Sequence, residues 1–140
     1  MTGVQTCALP ILLTLDDVKK IAAAAETEAV KNNWAVTISV VDDGGHLLWL
    51  QRMDGAAPVS AWIGPHKAIT AAIGRRESAV YEKMVNEGRV SFLSVAPVTP
   101  LEGGVPIIVD GVYVGAVGVS GVKSSEDVQI AKAGIAALGL

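Results

Sequence analysis

The sequence predicts a single α+β domain, a five-stranded antiparallel sheet flanked by helices, on three observations. The chain has 140 residues, about one domain's worth. Its β-branched runs come in adjacent pairs joined by short turns, where a parallel sheet would need a helix between them. Apolar stripes at helical spacing bracket those pairs. Hydrophobic residues make up 51% and charged residues 18%, with a mean hydropathy of +0.46, which excludes a disordered chain. Much of the apolar share is small, with 20 Ala and 20 Val against 4% aromatics, so the three Trp stand out.

Residues 1–11 differ from everything after them. They carry no charged side chain and no helical or strand period, they hold the only cysteine, Cys7, and they resemble the translation of a sequencing-adapter oligonucleotide. They read as a non-native leader, with the domain spanning 12–140. Cys7 then says nothing about redox chemistry. The native start, and with it any signal peptide, is lost to view, so localisation is unassigned and the cytoplasm is only the default.

From Thr14 the elements follow in order. Thr14 and Asp17 have capping-box spacing, and Leu15, Val18, Ile21, Ala22, Ala25 and Ala29 form one stripe of a helix reaching about Asn33. Residues 35–41 and 46–53 are strands around the turn Asp42-Asp43-Gly44-Gly45. Residues 60–74 are helical, with Gly64-Pro65 expected to kink or restart the helix. A further helix covers 77–86 and stops at Gly88. Residues 91–95 are a short strand. Residues 105–109 and 112–119 form a hairpin on Asp110-Gly111, a pair suited to a type I′ turn. Ser124 and Asp127 open a last helix carrying Val128, Ile130, Ala131, Ile135 and Leu138.

Composition and motifs exclude several functions. A net charge of −3 and a pI near 5.3, without a basic run, argue against a nucleic-acid or anionic-membrane surface. No apolar stretch approaches the roughly 20 residues of a membrane span. Gly115, Gly118 and Gly121 lie along a strand and not in a GxGxxG turn, and Ser120 sits in no nucleophile elbow. His46 and His66 are 20 residues apart with no zinc-type grouping.

What remains is a set of side chains. Strand alternation puts His46, Leu48, Leu50 and Arg52 on one face, with Leu47, Trp49, Gln51 and Met53 on the other. Trp62, His66 and Thr70 share a helical stripe, with Lys67 beside it. Imidazole ligates iron, cations pair with carboxylates and indole covers a ring, so the set suits a planar, anionic, partly apolar ligand. Each residue also has a plainer use. Arg52 can pair with Asp54 at the surface, Met53 can fill a gap, and Trp49 and Trp62 can serve the core or a subunit contact.

Val40-Val41-Asp42-Asp43-Gly44-Gly45-His46-Leu47-Leu48, Arg52-Met53-Asp54-Gly55-Ala56, Lys67-Ala68 with Thr70-Ala71, Gly103-Gly104-Val105-Pro106 and Gly115-Ala116-Val117-Gly118-Val119-Ser120-Gly121 resemble, in order, the blocks of the GlcG/HbpS family. The resemblance runs from about Leu13 to Leu138. It implies a profilin-like fold, homo-oligomers that are often rings of dimers, and haem binding or haem degradation. A related domain closes the PduO-type corrinoid adenosyltransferases, whose transferase chemistry lies in another domain and is not carried over. Residue by residue, Arg52 and Lys67 match the family's basic positions, His46 its histidine after the Gly-Gly turn, and Gly103 and Gly104 its glycine loop. Glu102 departs from a common glycine, Gly64-Pro65 departs from an unbroken helix, and His66 has no fixed counterpart.

The expectation is a homo-oligomeric haem-binding protein that sequesters haem or assists its oxidative breakdown. His46 and His66 are the candidate iron ligands, Arg52 and Lys67 the propionate partners, and Gly103 and Gly104 the cofactor loop, with no independent metal. Two alternatives stand beside it. One is an enzyme or accessory protein that holds a small carboxylated metabolite on Arg52 and Lys67 without haem, and the other is a purely structural oligomer.

Overall fold

The structure, a computed structural model, describes residues 12–140, so the reading of residues 1–11 as foreign lies outside the described residues. The elements are α1 (Leu15–Lys31), β1 (Thr37–Asp42), β2 (Leu47–Arg52), α2 (Ser60–Gly74), α3 (Ser78–Asn86), a 3-10 turn (Val90–Ser94), β3 (Gly104–Val109), β4 (Val112–Ser120) and α4 (Ser124–Ala136). The strands form one antiparallel sheet in the order β2-β1-β4-β3.

That sheet has four strands, which corrects the expectation of five. Residues 91–95 were to be the extra strand, and the 3-10 turn takes 91–94. Of their apolar residues only Phe92 packs on α3, its ring 5.4 Å from that of Tyr81, while Leu93 and Val95 are exposed, and Ser94 Oγ donates to the Ser91 carbonyl. A short apolar run fits a strand or a buried turn equally well by pattern.

Local chemistry explains the other elements. Thr14 Oγ1 accepts from the Asp17 N–H and Asp17 Oδ2 from the Thr14 N–H, both at 3.1 Å, closing the capping box of α1. Asp110 and Gly111 take φ of 50° and 77°, the left-handed pair that a type I′ turn requires. The helix α2 runs through Gly64-Pro65 without restarting.

The two faces of the sheet are packed differently. On one, α1 and α4 cover a dry layer of Ile21, Val36, Ile38, Val40, Ile107, Val117, Val119 and Ile130. On the other, α2 sets its own Ala68, Ala71 and Ala72 against Val41 of β1 and Ala116 of β4. A methyl group on Gly118 would overlap the Gly64 carbonyl oxygen, so the absence of a side chain lets α2 approach the backbone of β4. Hydroxyls fill this seam: Thr37 and Ser60 share a 2.7 Å hydrogen bond, and Ser39 Oγ donates to the Gly118 carbonyl.

The edge strand β2 departs from simple alternation. Its register against β1 shifts between Val40, opposite Trp49, and Val41, opposite Leu47, so Leu48 is the extra residue of a bulge. Leu50 and Arg52, opposite Ser39 and Thr37, share the α2 face, and so does Leu47, opposite Val41. Trp49 and Gln51 point the other way. Trp49 Nε1 donates to Gln51 Oε1, and Gln51 Nε2 donates to Glu26 on α1.

Candidate functional site

Two anchors hold α2 alongside β1 and β2. At one end is the Thr37–Ser60 hydrogen bond. At the other, Arg75 caps α2 with φ of 55° and donates from one guanidinium nitrogen to the Asp43 and Ala72 carbonyls, each at 2.9 Å. Gly45 rests on the methyls of Ile69 and Ile73, so the stripe Trp62-His66-Ile69-Ile73 borders the β1–β2 side. Between the anchors lies an apolar surface. Leu47, Leu48 and Leu50 are exposed along β2, and Trp62 is 69% exposed on α2.

His46 precedes Leu47 but stands opposite Asp42, which alternates with Val41, so its side chain lies on the face of the sheet away from α2. Asp42 Oδ1 accepts from the backbone N–H groups of Gly44 and His46, which folds the turn so that the imidazole Nδ1 lies 3.1 Å from the carboxylate. Burial works against the Asp42 charge, yet those N–H groups and the imidazole outweigh it and hold the carboxyl below its ordinary value. A carboxylate only accepts, so Nδ1 carries the proton and Nε2 is directed away with its lone pair available. His66 reaches the same state differently, its Nδ1 lying 2.6 Å from the Trp62 carbonyl, which also can only accept. Arg52 donates from Nε to the Ala56 carbonyl and has no other hydrogen-bond partner among the described residues.

Lys67, Gly103 and Gly104 sit elsewhere. Lys67 is 4% exposed, and its Nζ donates to the Val119 carbonyl at 3.0 Å and to Asp127 Oδ2 at 2.9 Å. Burial pushes the Asp127 carboxyl up, against the opposing pull of Lys67 and of the Val122 N–H. Both glycines are buried against this pair. A methyl group on Gly103 would lie 2.6 Å from Lys67 Nζ, and one on Gly104 would overlap the Lys67 carbonyl oxygen. The candidates thus divide into an outward group, His46, His66 and Arg52, and a buried group inside the fold, Lys67, Gly103 and Gly104.

Three features escaped the sequence reading. Asp42 as the partner of His46 was legible in principle, since Asp two residues before Gly favours a side-chain-closed turn. Asp127 as the partner of Lys67 is 60 residues away and carried no signal. The third is a groove of about 570 Å³ lined by Glu82, Val85, Asn86, Leu93, Thr99, Pro100 and Leu101. It contains no imidazole and no cation, and Glu82, its one charged residue, accepts from the Glu102 N–H. Such a lining suits neither iron nor propionates. Among the described residues no three His, Cys, Asp or Glu side chains gather as a metal site, and no helix is long and apolar enough to cross a membrane.

Comparison with known proteins bears on the fold and the family. The chain is 56% identical over 110 residues to Protein GlcG of Escherichia coli K12, covering 79% of this chain and 82% of GlcG. The crystal structure of HbpS superposes with a TM-score of 0.88 at 31% identity, over 100% of this chain and 99% of that one. A crystal structure named as a PduOC:Heme complex superposes with a TM-score of 0.84 at 28% identity, over 91% and 95% of the two chains. The family described as "Haem degrading protein HbpS-like" matches residues 13–136, and the chain belongs to that HbpS-like family.

Proposed function

We propose that this protein binds haem on the face shared by β2 and the outer stripe of α2, and so sequesters haem or hands it on for oxidative breakdown. The observation that carries the proposal is His66: its Nδ1 is committed to the Trp62 carbonyl, which leaves Nε2 for a ligand, and it shares the outer stripe of α2 with the exposed Trp62. His66 is the favoured ligand on this face, since His46, although its ring is fixed by Asp42, stands on the other side of the sheet. The donor set fits the group, offering imidazole for iron, Leu47, Leu50 and Trp62 for a flat apolar ring, and the Arg52 fork for a carboxylate. Haem, when bound, supplies an iron centre capable of redox and oxygen chemistry. The chain supplies a ligand, an apolar bed and a counter-charge. Lys67 is held by Asp127, so propionate pairing falls to Arg52. A structural neighbour named as a haem complex supports haem as the ligand.

The carboxylated-metabolite alternative is weaker because a small polar ligand makes no use of the exposed Leu47, Leu50 and Trp62 on this face. Absorption spectra of the hemin-loaded protein test the proposal. His66→Ala should alter the shape of the Soret band, and Arg52→Ala should leave the shape and weaken binding. If neither His46→Ala nor His66→Ala changes the spectrum, imidazole ligation is wrong.

A further inference from the structure

The groove of about 570 Å³ between α3 and the loop that leads into β3 has no role in haem binding as proposed above. Its helix α3 packs on α2 and β3, whereas the haem face borders β2, at the opposite edge of the sheet. Helical spacing sets Glu82, Val85 and Asn86 on one stripe of α3, which forms one wall. Leu93, Thr99, Pro100 and Leu101 form the other. Leu93 and Leu101 are exposed, yet the segment from Thr99 onward is held in place: the Thr99 N–H donates to Thr70 Oγ1, Ser78 Oγ donates to the Leu101 carbonyl, and the Glu102 N–H donates to Glu82 Oε1. Three successive anchors fix the shape of this wall.

Glu82 is the one charged residue of the lining, and it is half-buried. One of its oxygens takes the Glu102 N–H, and the other has no hydrogen-bond or ion-pair partner among the described residues. The cations nearby are turned elsewhere. Lys83 Nζ lies 3.9 Å from Glu87, and the guanidinium groups of Arg76 and Arg89 cover the rings of Tyr81 and Phe92. A carboxylate with a spare acceptor, set among Val85, Leu93, Pro100 and Leu101, complements a cation carried on a hydrocarbon body.

We propose that this groove is a second binding site, for a small amphipathic amine whose ammonium meets the free oxygen of Glu82 while its apolar body lies on Val85, Leu93, Pro100 and Leu101. The volume falls within the roughly 300–1,000 Å³ of small-molecule sites. An anionic ligand is disfavoured by Glu82 itself, because like charges repel. The site therefore selects the opposite charge from the haem face, where Arg52 awaits a carboxylate.

Three probes that share one body and differ in head group test this: phenethylammonium, phenethyl alcohol and hydrocinnamate, each titrated into the isotope-labelled full chain while backbone amide shifts are followed by NMR. The ammonium probe should give saturable shifts confined to α3, the 3-10 turn and residues 98–102, with the Glu102 amide prominent because it shares the Glu82 carboxylate with the probe. The alcohol should bind roughly ten-fold more weakly, the lower value of one charge-assisted hydrogen bond, and hydrocinnamate should not bind. Glu82→Gln, which keeps an oxygen for the Glu102 N–H and loses the charge, should bring the ammonium probe down to the affinity of the alcohol. Leu93→Ser should weaken both. If Glu82→Gln loses the dispersed amide spectrum of a folded chain, the head-group order on the wild type decides alone.

Shifts that never saturate or that scatter over the whole surface overturn the proposal, as does hydrocinnamate binding as tightly as the ammonium probe. A folded Glu82→Gln protein with unchanged affinity for the ammonium probe also overturns it. So does a groove that ignores all three probes and takes only a lysine-containing peptide. Loading with hemin beforehand should leave the ammonium titration unchanged, and competition between the two would show one shared site and overturn the second.

Discussion

Lys67 on α2 and Asp127 on α4 belong to helices on opposite faces of the sheet, and they meet around the end of β4 in a buried ion pair of 2.9 Å. The Val119 carbonyl takes a second hydrogen bond from Lys67, and the Val122 N–H donates to the second oxygen of Asp127. Gly103 and Gly104 leave the space that the pair occupies. A lysine that looks by spacing like a ligand cation therefore ties three layers together.

Removing one partner strands the other's charge in the interior, so Lys67→Met should cost about 3–5 kcal/mol in denaturant unfolding. The double variant Lys67→Met/Asp127→Leu should be more stable than Lys67→Met alone. If the two losses simply add, the pair is not coupled.

The same variant has a defined pH dependence. Burial already pushes the Asp127 carboxyl up, and without Lys67 the main opposing pull is gone. A carboxyl whose folded value lies above its unfolded value binds protons more tightly when folded, so its contribution improves as pH falls. The stability gap between wild type and Lys67→Met should narrow on going from neutral to mildly acidic pH. A constant gap would contradict this.

The cap of α1 has the opposite sign. Asp17 is held below its ordinary value of 3.8, first by the Thr14 N–H and then by the Thr14 hydroxyl. That contribution is present above the ordinary value and is lost as pH falls below it. Thr14→Ala should cost about 0.5–2 kcal/mol at neutral pH, and less once Asp17 is protonated. Thermal melts across pH check both.

At Gly118 a methyl group would collide with the Gly64 carbonyl and come within 2.5 Å of the Ala68 backbone nitrogen. Gly118→Ala should destabilise by about 1–3 kcal/mol, since neither group is a flexible side-chain end that could yield. An unchanged melting temperature would show that α2 is not seated as described.

Arg52→Ala should weaken hemin binding by about ten-fold to a hundred-fold, the value of one charge-assisted hydrogen bond, with little change in stability. Lys67→Ala should act in the opposite pattern, through stability and not through a lost propionate contact. A Lys67→Ala protein that melts normally but binds weakly would return Lys67 to the site.

Much of the fold was legible because it is local. The Thr14/Asp17 box, the Asp110-Gly111 turn and the helix over residues 60–74 follow from neighbouring residues. Depth was not legible. Nothing in the spacing of Lys67 reveals that Gly103, Gly104 and Gly118 let α2 settle until that lysine is enclosed, and nothing near residue 67 announces Asp127. The bulge at Leu48 is likewise a matter of register, set by β1, so alternation alone assigned Leu47 to the wrong face. The same shift takes His46 off the face of Leu50 and Arg52, so alternation misplaced it too, and the separation of His46 from Arg52 along β2 needed the structure.

The most direct measurement is a hemin titration of the purified chain followed at the Soret band, run in parallel on wild type and His66→Ala. Haem binding at an imidazole predicts a saturable change at a fixed ratio of hemin to chain, with a different band shape in the variant. A rise in absorbance that never saturates, and is the same in both proteins, would contradict it.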